Sequence, residues 1–348
     1  MPLTIDGPAQ TPIPRVSDIF GLRRRSATVS GARPCIRIGL VNNMPDSALV
    51  ATERQFSRML EAASDEVDVE LRFYALKQIP RSREALDYLA QRYVDASALY
   101  GQTLDALIIT GAQPLASDLA DEPYWRALIG VIDWAEANTI STLLSCLAAH
   151  AGVLHFSGVE RRRLPVKRSG VYTFDIARND RLTEGASQKW VIPHSRYNGL
   201  DEEELAQNGY PVLTRSATAG VDMFVRHSRS LFVFLQGHPE YEADTLAREF
   251  RRDMGRYLAG ELASPPDLPQ SYYSREIEDA LTKFRAKAES ERRYETAALF
   301  PDIGLRGVGE AAWGGCADLL YRNWLSFLAE RKAEFSQDVA VPAARWGG

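Results

Sequence analysis

Short apolar segments alternate with amphipathic segments through the first half of the chain. Apolar runs predict β-strands at 36–42, 67–76, 106–110 and 140–145. Apolar residues at helical spacing predict helices at 51–62, 124–137 and 147–155. Because strands and helices alternate, we expect an α/β fold with a mostly parallel sheet and helices on both of its faces.

The second half continues with strands and then becomes mostly helical. We predict strands at 171–176, 190–194, 220–225 and 231–235, and helices at 243–262, 273–297 and 318–335. Residues 1–33 are rich in Pro, Gly, Ser and Arg without a steady period, which predicts an extended N-terminal arm. We therefore expect a single α/β domain at 34–335 with extra C-terminal helices, followed by a loose tail at 336–348.

Composition and charge limit the partners that the chain can have. The 348 residues are 45% hydrophobic and 25% charged, as in ordinary globular proteins, and the formal net charge is −5. A net negative charge gives no long-range attraction for nucleic acid or anionic lipid. The basic cluster at 161–168 has no interleaved aromatic residues for base stacking, which indicates a solvated loop or a site for a phosphorylated cofactor.

No segment is long enough to cross a bilayer, and the first residues do not resemble a signal peptide. We expect neither nucleic acid nor membrane as a partner.

The three cysteines argue against disulfides and metal. Cys35, Cys146 and Cys316 lie far apart, without the Cys-x-x-Cys or His-x-x-His spacing of a metal site. We therefore expect no bound metal and a reducing, cytoplasmic compartment in which a single thiol persists.

Cys146 is the first candidate for chemistry. It stands where a buried strand meets an Ala-rich helix, which places it at the carboxyl edge of a parallel sheet, where ligands bind. The N–H groups at the start of a helix stabilise a thiolate and can also receive the oxyanion of a tetrahedral intermediate. The alternative is a small buried cysteine with a packing role, which is the commoner fate of a lone cysteine.

The segment Gly237-His238-Pro239-Glu240 follows an apolar strand and supplies the second candidate. In an extended segment, residues two apart point the same way, so Glu240 can lie beside His238. A carboxylate beside an imidazole fixes its tautomer and stabilises imidazolium, which a base serving a cysteine requires. Alone, so short a motif could equally be a surface turn.

These motifs together resemble class I glutamine amidotransferase-like folds, and more closely the homoserine O-succinyltransferase/O-acetyltransferase family. The resemblance covers about 36–330. It is carried by several short segments: Asn43-Met44-Pro45, Ile109-Thr110-Gly111-Ala112, Tyr124-Trp125, KRSGVY at 167–172, PHSRY at 193–197, GHPEY at 237–241 and Asn323-Trp324-Leu325. It implies a flavodoxin-like, class I glutamine amidotransferase-like fold, which often forms homodimers.

The resemblance also implies roles for individual residues. Cys146 matches the nucleophile that carries the acyl group, His238 the general base and Glu240 its orienting partner. Lys167, Ser195 and Arg252 match positions that hold the amino-acid substrate. Arg252 falls on the helix after His238, where a guanidinium could grip an α-carboxylate through two hydrogen bonds.

The chain departs from the family pattern at several places, three of which concern the candidate site. Asp46-Ser47 follow the Asn-Met-Pro turn where the family usually has a lysine, and Leu147 follows the nucleophile where an aromatic residue is common. Leu115 occupies the loop position at which the family selects its acyl donor with glycine or glutamate. Leucine has neither the space of glycine nor the charge of glutamate, so succinyl and acetyl donors both stay open.

The expected reaction is transfer of a succinyl or acetyl group from acyl-CoA to the hydroxyl of homoserine, in methionine biosynthesis, through a ping-pong mechanism with an acyl-cysteine intermediate. Acyl-CoA is then a co-substrate, and no permanently bound cofactor is expected. Serine or a related amino acid is an alternative acceptor. A class I glutaminase is a further alternative, although Leu144-Ser145 and Leu147-Ala148 lack the glycines that usually flank the glutaminase nucleophile.

Overall fold

A computed structural model describes residues 3–6, 33–187, 189–302 and 312–340. Its main sheet has the strand order β1-β3-β2-β5-β6-β12-β11, with β4 paired to β3. Neighbouring strands are parallel except for β11 and β12. These strands are β1 Leu3–Asp6, β2 Cys35–Val41, β3 Asp68–Ala75, β4 Val94–Asp95, β5 Ala106–Ile109, β6 Ser141–Ser145, β11 Met223–His227 and β12 Leu231–Leu235.

Helices cover both faces of this sheet. In β5, Ala106 and Ile108 pack into one apolar cluster while Leu107 and Ile109 pack into another, because successive side chains of a strand point to opposite faces. The α-helices are α1 Asp46–Ala63, α2 Arg83–Arg92, α3 Trp125–Asn138, α4 Leu147–Ser157, α5 Glu202–Gln207, α6 Thr245–Leu258, α7 Arg275–Ser290 and α8 Gly314–Ala340. The predicted α/β class, with a mostly parallel sheet and helices on both faces, is confirmed.

A second, antiparallel sheet stands apart from the main one. Its order is β10-β9-β7-β8, with β7 Arg162–Ile176, β8 Lys189–Gly199, β9 Thr214–Ser216 and β10 Gly220–Val221. The strands predicted at 171–176 and 190–194 were predicted too short, because β7 already begins at Arg162 and β8 continues to Gly199. The predicted strand at 220–225 was wrong as a single element: it divides at Asp222 between the two sheets, and Asp222 is buried there.

The C-terminal helices form a third apolar cluster around α6 and α7. The helix predicted at 273–297 was wrong as one element, because α7 ends at Ser290 and a 3₁₀ helix follows at Tyr294–Leu299. α8 packs on α1 and buries Trp324, whose Nε1–H donates to Ser141 Oγ at 2.9 Å.

The N-terminal arm begins with an element that the sequence did not predict. Leu3–Asp6 forms β1, which lies parallel to β3 at the edge of the main sheet. Residues 7–32 of the predicted arm lie outside the described residues. At the other end, α8 continues to Ala340, and the remainder of the predicted tail lies outside them too. The domain limits stay a prediction.

The sheet has a topological switch point that positions the site. From β2 the chain runs outward to β3, and then crosses to β5 on the other side of β2. In open α/β sheets, ligands bind at the carboxyl edge where the strand order reverses. The Asn-Met-Pro turn after β2, the Thr-Gly-Ala turn after β5 and Cys146 after β6 all lie at this edge.

Candidate active site

Cys146 occupies a strained turn between β6 and α4. Its backbone has φ 54° and ψ −112°, a conformation that residues other than glycine rarely adopt. Its N–H donates to the Leu235 carbonyl at 2.7 Å, which ties the turn to β12. A sharp strand-to-helix turn of this kind is typical of nucleophiles, because it presents the side chain at the top of the sheet.

His238 follows β12 and is buried beside Glu240. The two side chains meet at 2.9 Å between Nδ1 and Oε1, as the spacing of the motif predicts. The backbone N–H of His238 donates to the Pro193 carbonyl at 2.8 Å, and the Tyr241 ring stacks on the imidazole with 4.3 Å between centroids. The ring is therefore fixed in position and orientation.

The charge state of His238 follows from its neighbours. Burial acts to lower its pKa, but Glu240 and then Cys146 outweigh burial, through charge and through hydrogen bonds, and hold the pKa well above 6.5. The imidazole is accordingly protonated at neutral pH and lies between a carboxylate and the sulfur. The structure brings together Cys146, His238 and Glu240, in the order needed for an activated nucleophile.

A backbone amide is available for an oxyanion next to Cys146. A Cβ placed on Gly111 would lie 3.1 Å from the Leu147 nitrogen, so the turn after β5 closely approaches the first turn of α4. The first N–H groups of a helix have no partner within the helix. The Leu147 amide can therefore donate to an oxygen on an acyl group bound to Cys146. From the sequence, Gly111 was noted only as part of the Ile109–Ala112 motif, without a role of its own.

A buried layer behind His238 holds its turn. Asp222 accepts the Gly237 N–H at 3.0 Å and lies 3.2 Å from His194 Nε2. Arg196 Nε donates to His194 Nδ1 at 3.2 Å. Burial, the largest cause, lowers the pKa of His194 to about 4, so this histidine is neutral and positions the turn. Sequence reasoning missed this layer.

Lys167 and Ser195 lie in a second polar cluster on β7, β8 and α6. Lys167 Nζ is 2.8 Å from Asp253 Oδ2 and 3.5 Å from Glu249 Oε2, and the Ser195 hydroxyl donates to Glu249. Burial acts to lower the pKa of Lys167, but Glu249 and Asp253 outweigh it and raise the pKa, so the amine stays charged. Sequence reasoning missed both carboxylates.

The cluster touches the His238 site and solvent. The Tyr241 hydroxyl donates to Glu249 Oε1 at 2.9 Å, and the Tyr241 ring stacks on His238. Arg252 Nε donates to Asp253 Oδ1 at 2.9 Å, and 48% of the Arg252 side chain is exposed. A ligand can therefore reach Arg252 from solvent.

Comparisons with known proteins identify the family. The sequence matches the homoserine O-succinyltransferase family over residues 4–335. The chain belongs to the homoserine O-succinyltransferase family. It is 48% identical to a homoserine O-succinyltransferase of Methylorubrum extorquens, over 86% of this chain and 88% of that one. It is 45% identical to a homoserine O-succinyltransferase of Bradyrhizobium japonicum, over 95% of this chain and 100% of that one. Among solved structures, a glutamine amidotransferase from Methylobacillus flagellatus is 15% identical over 85% of this chain and 96% of its own, with a TM-score of 0.49.

In this member of the homoserine O-succinyltransferase family, a buried carboxylate holds the loop around Leu115. Glu122 is 4% exposed, and its Oε1 accepts the N–H groups of Leu115 at 2.8 Å and of Ala116 at 3.0 Å. The Leu115 side chain is 59% exposed. Glu122 therefore fixes the backbone of the loop, whereas the Leu115 side chain is exposed.

Asp46, which stands where the homoserine O-succinyltransferase/O-acetyltransferase resemblance leads one to expect a lysine, has a structural role. It accepts the Ser82 N–H at 2.8 Å and pairs with Arg81 at 3.1 Å. Burial acts to raise its pKa, but Ser82 and Arg81 outweigh burial and lower it. In the described part of the chain, no helix combines the length and the apolar character that a bilayer crossing requires.

Proposed function

We propose that the chain transfers the succinyl group of succinyl-CoA to the hydroxyl of homoserine, in methionine biosynthesis. The observation that carries the proposal is the hydrogen bond between His238 and Glu240 beside the strained Cys146 turn, at the carboxyl edge of the sheet. It is supported by the family match, which spans nearly the whole chain.

In the first half-reaction, the Cys146 thiolate attacks the thioester carbonyl of succinyl-CoA. The new bond joins Sγ to the carbonyl carbon, and the negative charge on the carbonyl oxygen faces the Leu147 amide. The bond to the sulfur of coenzyme A then breaks, and the imidazolium of His238 gives its proton to that leaving thiolate. The products are succinyl-Cys146, neutral His238 and free coenzyme A.

In the second half-reaction, neutral His238 takes the proton of the homoserine hydroxyl as its oxygen attacks the succinyl carbonyl. The bond to Sγ breaks, which restores the Cys146 thiolate and the His238 imidazolium. Proton and charge balance over the cycle, and Glu240 stabilises the imidazolium at both ends of it.

The polar cluster supplies the acceptor site in this proposal. The carboxylate of Glu249, held by Lys167 and Ser195, suits the α-ammonium group of homoserine. The half-exposed Arg252 suits its α-carboxylate. Because Tyr241 joins Glu249 to His238, an amino acid bound there places its hydroxyl near the base.

The catalytic groups in both steps belong to the protein, and acyl-CoA is a co-substrate. No metal or permanently bound cofactor is part of the proposal. We propose that the enzyme works in the cytoplasm, where a single thiol stays reduced, and that it forms a homodimer by analogy with its fold. Acetyl-CoA as donor, and serine as acceptor, are alternatives that the following experiment separates.

The test measures release of the coenzyme A thiol from succinyl-CoA and from acetyl-CoA, each with homoserine, with serine and without acceptor. We expect homoserine-dependent release from succinyl-CoA and a succinyl adduct on Cys146 by mass spectrometry when the acceptor is left out. Cys146→Ala should lose turnover and keep its circular dichroism spectrum. Full activity of that variant, or ammonia release from glutamine in place of thiol release, would refute the proposal.

A further inference from the structure

A succinyl group on Cys146 differs from an acetyl group by an added methylene and a free carboxylate, and that carboxylate has to lie within a few ångströms of the sulfur. Two arginines lie within electrostatic reach of Cys146, namely Arg161 and Arg196. Arg196 is buried, and each of its three guanidinium nitrogens already donates a hydrogen bond. It donates to His194 Nδ1 at 3.2 Å, to the Asn198 carbonyl at 2.6 Å and to the Ala219 carbonyl at 2.7 Å.

Arg161 is in the opposite situation. It precedes β7, is partly buried, and makes no hydrogen bond or ion pair with any of the residues that the structure describes. The charges of Tyr124, Glu122 and Cys146 nevertheless act on the Arg161 guanidinium. These three side chains are therefore its neighbours. A partly desolvated guanidinium without a partner is a site for an anion.

Two further polar atoms beside Arg161 lack partners. The Tyr124 hydroxyl and Glu122 Oε2 are both buried without a hydrogen bond, in side chains that are 1% and 4% exposed. Burial, and then the charge of Glu122, raise the pKa of Tyr124, so its hydroxyl keeps its proton and can donate. An acceptor oxygen reaching this point from Cys146 would meet two donors, the phenol and the guanidinium.

Glu122 lies near the Tyr124 hydroxyl but is held by the loop around Leu115 rather than by Arg161. Its Oε1 accepts two amides of the loop around Leu115, and the ion pairs of the described residues include none between Glu122 and Arg161. Its role is to fix the loop that closes this side of the acyl site, while Arg161 remains available for a ligand.

We propose that Arg161, together with the Tyr124 hydroxyl, binds the free carboxylate of the succinyl group and thereby selects succinyl-CoA over donors without that charge. The assignment rests on the proposed acyl-Cys146 intermediate. It makes Arg161 a specificity-determining residue for the acyl donor.

The test compares succinyl-CoA with butyryl-CoA, which has the same number of acyl carbons and a methyl group in place of the carboxylate. Coenzyme A release is measured in single turnovers, so that slow donors are still quantified. In Arg161→Met, we expect the succinyl-to-butyryl ratio of rate constants to fall about 10- to 100-fold, as for loss of a charged hydrogen-bonded contact. In Tyr124→Phe, we expect the ratio to fall about 3- to 10-fold, as for loss of one hydroxyl donor.

Arg162→Met is the matched control, because Arg162 is the next residue, is exposed and pairs instead with Asp201 and Glu204. Its donor ratio should equal that of the unaltered protein. Arg161→Lys, which keeps the charge, should retain more of the ratio than Arg161→Met. Arg161→Gln, which also removes the charge, serves as the test if the methionine variant fails to fold.

An unchanged donor ratio in Arg161→Met or Arg161→Gln, whether both rates fall together or neither falls, would overturn the inference. This outcome differs from failure of the proposed function, in which Cys146→Ala would still release coenzyme A. If Cys146 is required and the ratio does not move, only the role of Arg161 is wrong.

Discussion

Replacing Glu240 by glutamine tests the electrostatic basis of the site. Burial lowers the pKa of His238, and the Glu240 carboxylate is the largest influence that opposes it. Without that charge the pKa of His238 falls, so less imidazolium is present at neutral pH to pair with Cys146 and to protonate the leaving coenzyme A. The 2.9 Å hydrogen bond itself is kept in weaker, neutral form.

The size of the effect follows from the contact that is weakened. A buried hydrogen bond to a charged group is worth about 1.5–3 kcal/mol, so kcat should fall about 10- to 150-fold. The direction of the pH effect is also fixed. Because the raised pKa of His238 keeps imidazolium present to high pH, the basic limb of the acylation profile should move to lower pH in Glu240→Gln.

The assay is stopped-flow release of the coenzyme A thiol as a function of pH, for the unaltered protein and the variant. Glu242→Gln is the matched control, since Glu242 lies two residues on and pairs with Arg54 and Arg58 rather than with the imidazole. Its profile should not move. A Glu240→Gln variant with full kcat and an unmoved basic limb would refute the reasoning that Glu240 sets the charge of His238.

Two further substitutions probe the backbone around the site and the core beneath it. Gly111→Ala places a methyl group 3.1 Å from the Leu147 nitrogen, so kcat should fall about 10- to 100-fold while the urea midpoint changes little; unchanged kcat would show that this amide is not used. Trp324→Ala removes a fully buried indole and its bond to Ser141, and should lower the free energy of unfolding by about 3–5 kcal/mol in urea titrations. A loss below about 1 kcal/mol would mean that α8 does not depend on this contact.

The sequence predicted the main sheet and the Cys146 turn because their signals are local. An apolar run ends at Ser145, a helical pattern starts at Leu147, and parallel strands place such a junction at the ligand edge. The spacing of His238 and Glu240 is equally local. Each of these predictions needs only the residues within a few positions.

The missed features depend on distant or ambiguous information. The first half of β7 is exposed and polar from Arg162, so it has no apolar alternation to reveal a strand. β1 is short and pairs with β3, a segment more than sixty positions away, which no local pattern indicates. Glu249 and Asp253 lie in a helix so rich in charge that a buried pair cannot be distinguished from a solvated face.

The polar groups that we propose to meet the two substrates come from different parts of the architecture. Tyr124 and the loop around Leu115 follow the parallel strand β5, and Arg161 lies directly before β7, whereas Ser195, Glu249 and Arg252 belong to the antiparallel sheet and α6. Cys146 and His238 lie between these two groups of residues. Under this proposal, selection or protein engineering can exchange the loop around Leu115 to admit another acyl chain without rebuilding the amino-acid pocket. Donor and acceptor preference are then separately evolvable traits.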